Sequence, residues 1–190
     1  MYLDICIHLI KIQLNLKQKF KKIIMEKTLI FKKVDGTLIT DVEKYVKDWT
    51  KENPYGQVII GCDSQVHGRR LKYSIAIVMH HIDQWNMGHG AHVIVADLWE
   101  KRVSKNAIEE MPAKLWREAE YVLKAAQMVD GNDDTFKKRI TLHLDYSDNA
   151  KDKSNIMFAA GIGYLTGMGY ETLGKPAAYV ATHTADAFCR

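Results

Sequence analysis

With 190 residues, 47% of them apolar, the chain suits one domain of ordinary size with a real core, and nothing in its composition points to disorder. Three scattered cysteines, Cys6, Cys62 and Cys189, lack zinc-ligand spacing and argue against a disulfide framework, as expected of a reduced, cytoplasmic protein. The net charge of +4 resides in residues 1–24, where five lysines face Asp4; from Met25 onward the charges cancel, so the basic balance is no argument for nucleic-acid binding by the rest of the chain.

Residues 1–24 mix Ile, Leu, Lys, Gln and Asn without Gly or Pro. Their apolar stretch, residues 5–10, is too short to span a membrane, and it precedes the charges, unlike a secretory signal. Met25-Glu26-Lys27 reads as a second start, and residues 1–24 as an extension outside the fold. An added helix or a membrane-surface arm built on Lys17–Lys22 is the alternative. Residues 25–56 read as a small strand-helix element. Residues 28–33 form the strand and Asp35-Gly36 the turn. Thr40-Asp41-Val42-Glu43 is a capping box opening a helix with Val42, Tyr45, Val46 and Trp49 on one face, which ends before Pro54.

The main domain is expected over residues 57–190. Val58-Ile59-Ile60 leads into Gly61-Cys62-Asp63, a nearly continuous apolar strand of the kind found in a sheet interior. Turns at Gly68-Arg69 and at Gly88 and Gly90 separate it from strands over 71–80 and 91–98, which makes an antiparallel meander. A helix follows over 112–129, with Pro112 in its first turn and Leu115, Ala119, Val122, Leu123 and Ala126 as its buried stripe. Residues 140–145 form a fourth strand. Ser154 caps a glycine-rich helix over 155–168, residues 177–182 form a fifth strand, and a helix starts at His183. The expected architecture is α/β: a mixed five-stranded sheet, three antiparallel strands then two further ones, with helices on both faces.

Three acids end or begin these elements: Asp63, Asp145 and Asp186. A carboxylate at the edge of a dry core needs a partner, and a divalent cation is the usual one for several acids together. Each also has a plainer reading. Asp63 can cap a turn, and Asp186 is a favourable acid in a helix's first turn. Asp148 suits a turn, and His183 a loop. The glycines from Gly161 to Gly169 follow neither P-loop nor dinucleotide spacing and suit close packing. The clusters Lys101-Arg102-Lys105 and Lys137-Lys138-Arg139 suit solvated loops.

The order of elements, with acids after the first and fourth strands and at the last helix, resembles the ribonuclease H fold. More narrowly, Gly61-Cys62-Asp63-Ser64-Gln65, His143-Leu144-Asp145, Gly163-Tyr164, Gly169-Tyr170, Lys175-Pro176-Ala177 and Ala185-Asp186 are similar, as an ordered set, to the motifs of the bacterial YkuK-type ribonuclease-H-like family. That resemblance implies a two-metal phosphodiester nuclease using Mg2+ or Mn2+. Asp63 would bridge both ions, Asp145 and Glu118 would hold one, and Asp186 the other. Glu118 is preferred to Glu120 as the helix acid because it lies nearer the buried stripe. The implied partner is nucleic acid, whether RNA, RNA–DNA hybrid or DNA, with no membrane involvement. With no net charge beyond residue 24, the grip would be local or shared between subunits of a homo-oligomer. The alternative is a catalytically degenerate module that binds nucleic acid or a protein partner.

Overall fold

The computed structural model describes residues 28–190, and the extension expected over residues 1–24 lies outside them. A two-residue strand, β1 (Lys32–Lys33), and the helix α1 (Val42–Glu52) come first. Three long strands follow: β2 (Gln57–His67), β3 (Arg70–Ile82) and β4 (Gly88–Lys101). The helix α2 (Ala107–Asp130), the single turn α3 (Asp134–Lys137), β5 (Ile140–Leu144), α4 (Asn155–Gly167) and β6 (Glu171–Leu173) come next. The chain closes with a π-helical turn, Val180–Ala185, running into α5 (Asp186–Cys189). The strands form one mixed sheet in the order β1-β4-β3-β2-β5-β6. The meander is antiparallel, whereas β5 is parallel to β2 and β6 parallel to β5. Among the described residues no helix is long and apolar enough to cross a membrane.

The β2 strand lies at the centre, and its apolar run is buried on both sides. Val58, Ile60 and Cys62 enter the larger core with Val42 and Val46 of α1, Ala119, Val122 and Ala126 of α2, and Leu165 of α4. Ile59 points the opposite way, as strand alternation requires, into a small core with Ala76, Val78, Val95, Val180 and Ala185. Three helices therefore cover one face, and the C-terminal helix covers part of the other.

That lone helix lies almost against the strand backbone. A Cβ at Gly61 would sit 2.7 Å from the backbone nitrogen of Ala181, so glycine is required for the approach. His143 of β5 accepts the Val180 N–H through Nδ1 at 3.2 Å, and the Tyr179 ring stands edge-on to it. At the far end, His67 Nε2 donates to the Cys189 carbonyl at 3.2 Å and Lys72 Nζ donates to that of Phe188.

Several expectations need correction. The sheet has six strands rather than five, because Lys32–Lys33 joins it beside β4. The last strand is Glu171–Leu173, and the run expected as a strand over 177–182 is mostly helix. Its buried residues are Ala178, Val180 and Ala181, and with Ala185 just beyond them Ala178 and Ala181 recur at helical spacing. Asp63 does not end its strand, since β2 continues to His67 paired with β3. The α2 helix starts at Ala107, so Pro112 is inside it. Upstream of Pro112, the buried carboxylate of Glu110 accepts the backbone N–H groups of Val103 and Ser104. Asp41 rather than Thr40 caps α1, accepting from the Lys44 N–H at 2.9 Å. Ser154 makes no cap bond; its hydroxyl accepts the Ser147 N–H instead.

Gly61→Ala should destabilise the protein by about 1–3 kcal/mol, because the helix backbone must move away from the added methyl. Gly163→Ala is the control, since a Cβ there meets nothing within 4 Å. It should be neutral or stabilising by up to about 1 kcal/mol. Urea unfolding of the two variants checks both signs.

Candidate functional site

The pairing of β5 with β2 runs as far as Cys62 opposite Leu144. Asp63 and Asp145 occupy the next position on each strand, where β5 stops and β2 continues. Strand alternation aims Asp63 to the face that carries the C-terminal helix. Asp145 is held by that helix: its Oδ1 accepts from Thr182 Oγ1 at 2.6 Å and pairs with Lys175 Nζ at 3.0 Å. Asp186 opens α5 and forms an ion pair with Arg190 one turn on.

Glu118 arrives from the other side. On α2 it follows the buried Leu115 and precedes the buried Ala119, and it is itself 1% exposed. Ser64 Oγ donates to its Oε1 at 2.5 Å, and Lys114 Nζ lies 3.7 Å from the same oxygen. Lys114 also donates to the Ser64 carbonyl at 2.7 Å, which fixes the start of this helical segment to β2. The other oxygen, Oε2, is buried without a hydrogen-bond partner. One cleft is lined by Asp63, Lys114, Glu118, Asp145, Lys153 and Lys175.

The electrostatics follow from this crowding. Burial pushes the Glu118 carboxyl up to about 8, with Asp63 and Asp145 adding to the rise and Lys114 and Ser64 opposing it. Burial likewise raises Asp63 to about 6. The Ser64 backbone N–H and Lys114 pull it down, while Asp145 and Asp186 push it up. Asp186 thus acts on Asp63 electrostatically even though it does not line the cleft.

Asp63, Glu118 and Asp145 are therefore brought together, with Asp186 beside them. Glu120 points elsewhere, bound to Trp116 at 3.2 Å and to Arg117 at 3.2 Å. Asp148 and His183 are exposed, and Asp148 uses its carbonyl rather than its carboxylate to hold Asn155. Gln65 is exposed, whereas Ser64 is the buried hydroxyl on Glu118. Lys114, Lys175 and Thr182 were not picked out as site residues from sequence. The spacing of Lys114 and Glu118, one helical turn apart, was the available signal for one of them.

The donor set has the chemistry of a hard cation site: oxygen ligands alone, with one buried oxygen left unpartnered. The placement is that of a closed site, since Lys175, Arg190 and Thr182 occupy carboxylate oxygens. Among the described residues, no three His, Cys, Asp or Glu side chains stand arranged to hold a metal ion.

A mixed sheet built from a three-stranded meander and two parallel additions, with acids gathered at its centre and helices on both faces, is of the ribonuclease H-like class. A family model described as ribonuclease H-like matches residues 37–190, so the chain belongs to that family. No curated protein and no solved structure matches the chain.

The raised pKa of Glu118 makes folding stability depend on pH. The folded protein keeps a proton that the unfolded chain releases from about pH 4.5 upward, so stability falls as pH rises through that interval to about 8. Glu118→Gln removes the loss. Its stability should vary less with pH than that of the unaltered protein and exceed it at about pH 8, as read by urea unfolding.

Proposed function

We propose that this protein is a metal-dependent nuclease that hydrolyses nucleic-acid phosphodiester bonds. Asp63, Glu118, Asp145 and Asp186 would hold Mg2+ or Mn2+. The observation that carries the reading is the buried Glu118 carboxylate, one oxygen unpartnered, sharing a cleft with Asp63 and Asp145. Such a concentration of acid costs stability and is retained where charge is handled. Membership of the ribonuclease H-like family supports the same reading.

When bound, the ions would polarise the scissile phosphate and lower the pKa of an attacking water. The remaining work falls to the chain. Ser64 orients Glu118, and Thr182 orients Asp145 from the opposite side of the sheet. Lys114 and Lys175 put two ammonium groups at the cleft, where a substrate phosphate would find positive charge. Substrates in this reading are RNA, RNA–DNA hybrid or DNA.

One observation favours a second reading. The acids already have partners in Lys175, Arg190 and Lys114, as a module without catalysis would need for its own stability. Such a module would bind nucleic acid or a protein partner with no metal requirement.

Manganese titration by calorimetry separates the two. A nuclease should bind Mn2+ more tightly at about pH 8 than at about pH 6, with proton release, because Asp63 and Glu118 must ionise first. Asp63→Asn should abolish that binding and any cleavage of an oligonucleotide panel while the protein stays folded. Absence of Mn2+ binding and of cleavage in the unaltered protein would leave the binding module standing.

A further inference from the structure

The face of β2 that carries Asp63 continues outward to Gln65 and His67, both exposed. Pairing across the meander sets two rows beyond Asp63: Gln65, Lys72 and Trp99, then His67, Arg70 and Lys101. They lie about 7 and about 14 Å from it along the strand. Trp99 is 43% exposed. The Arg70 guanidinium stands 5.5 Å from its ring centroid, and the His67 ring meets it edge-on at 5.3 Å. Arg69, in the adjoining turn, Arg70 and Lys101 are all solvent-facing or nearly so, and among the described residues none forms an ion pair with a carboxylate. Asp97, two positions before Trp99 on the same face, is taken up by Ser74, Lys32 and Lys72. Glu100 interacts with Tyr121 and Arg117 on the other face.

Within these rows His67 and Lys72 hold the C-terminal helix, donating to the carbonyls of Cys189 and Phe188. What remains at the surface is a half-exposed indole with Arg69, Arg70 and Lys101 beside it, although the chain from Met25 on is neutral overall. The combination is complementary to a nucleic-acid strand. A base stacks on the indole or on the guanidinium plane, and the neighbouring cations meet phosphates. A continuous duplex keeps its base faces stacked inside and cannot use such a surface.

We propose that this end of the sheet is a stacking platform for unpaired bases, so that the chain takes single-stranded RNA or DNA. That such a strand is also the substrate of the acid cleft rests on the nuclease reading, but binding to the platform requires no metal.

Fluorescence anisotropy with short labelled strands of DNA and RNA, and a blunt duplex of the same sequence, tests this in metal-free buffer. Single strands should bind in preference to duplex. Trp99→Ala should weaken them about tenfold, with Trp99→Phe retaining most of the affinity. Lys101→Ala should lower the salt dependence by about one unit of slope. Asp63→Asn should bind at least as tightly as the unaltered protein. Circular dichroism confirms that each variant folds. No strand binding, a preference for duplex, or no effect of Trp99→Ala would overturn the proposal. Absence of both Mn2+ binding and cleavage would overturn the nuclease reading and leave these binding results intact, so the two failures are distinguishable.

Discussion

Carboxylates gathered where water cannot hydrate all of them are the constraint on which this structure turns. Two like charges about 5 Å apart, at an effective dielectric of about 20, repel by about 3 kcal/mol. Burial adds to that cost for Glu118 and Asp63, and both respond by holding their protons more tightly. The surroundings are arranged to offset the rest. Lys114 and Ser64 serve Glu118, Lys175 and Thr182 serve Asp145, and Arg190 serves Asp186. Lys114 and Ser64 come from α2 and β2, Lys175 from the loop before the C-terminal helix, and Thr182 and Arg190 from that helix, so neutralising the cluster also ties α2 to β2, and that loop and helix to the end of β5.

The two sides of the sheet contribute unequally. Glu118 comes from the thickly covered face, held by a helix whose buried stripe enters the main core. Thr182 and Asp186 come from a single short helix resting on the opposite face. The position of that helix is set by the absence of a side chain at Gly61 and by an acceptor at His143. Burial holds His143 down to about 4, so its Nδ1 remains a neutral acceptor at any ordinary pH. The geometry around Asp145 therefore depends on packing and hydrogen bonding at residues that never face the cleft.

Much of this was legible in the sequence, for identifiable reasons. The β2 and β5 strands announced themselves as apolar runs ending in acids, and the parallel register that brings Asp63 beside Asp145 followed from placing those strands as neighbours. Glu118 was distinguishable from Glu120 by its position against Leu115, Ala119 and Val122. The fate of residues 177–182 was not legible from that run alone, because Ala, Tyr, Val and Thr serve a buried strand as well as a helix, and the helical spacing shows only when Ala185 is counted with Ala178 and Ala181. Nor could the sequence reveal that β2 runs past Asp63. Polar residues such as Gln65 and His67 look like a turn until Lys72 and Arg70 are seen opposite them. That extension is also what carries the Trp99 surface, which is why a tryptophan and two arginines far apart in the chain gave no signal of belonging together.

The same oxygens serve the chain's own cations and would serve any incoming ion. Asp145 Oδ1 already accepts from both Thr182 and Lys175, so an ion at that oxygen must displace the ammonium group or share with it. A displaced lysine in a cleft of carboxylates has no good alternative partner within the protein. A phosphate supplies one. Under the nuclease reading, ion and substrate would therefore assist each other: Lys175, released from Asp145, would be available to a phosphate, and an ion among the acids would relieve their repulsion of that phosphate. Affinity for metal alone would be held low by the closed arrangement and would rise when a strand is present, which gives a physical reason for a site that is chemically suited to a cation to rest in a form that neutralises itself.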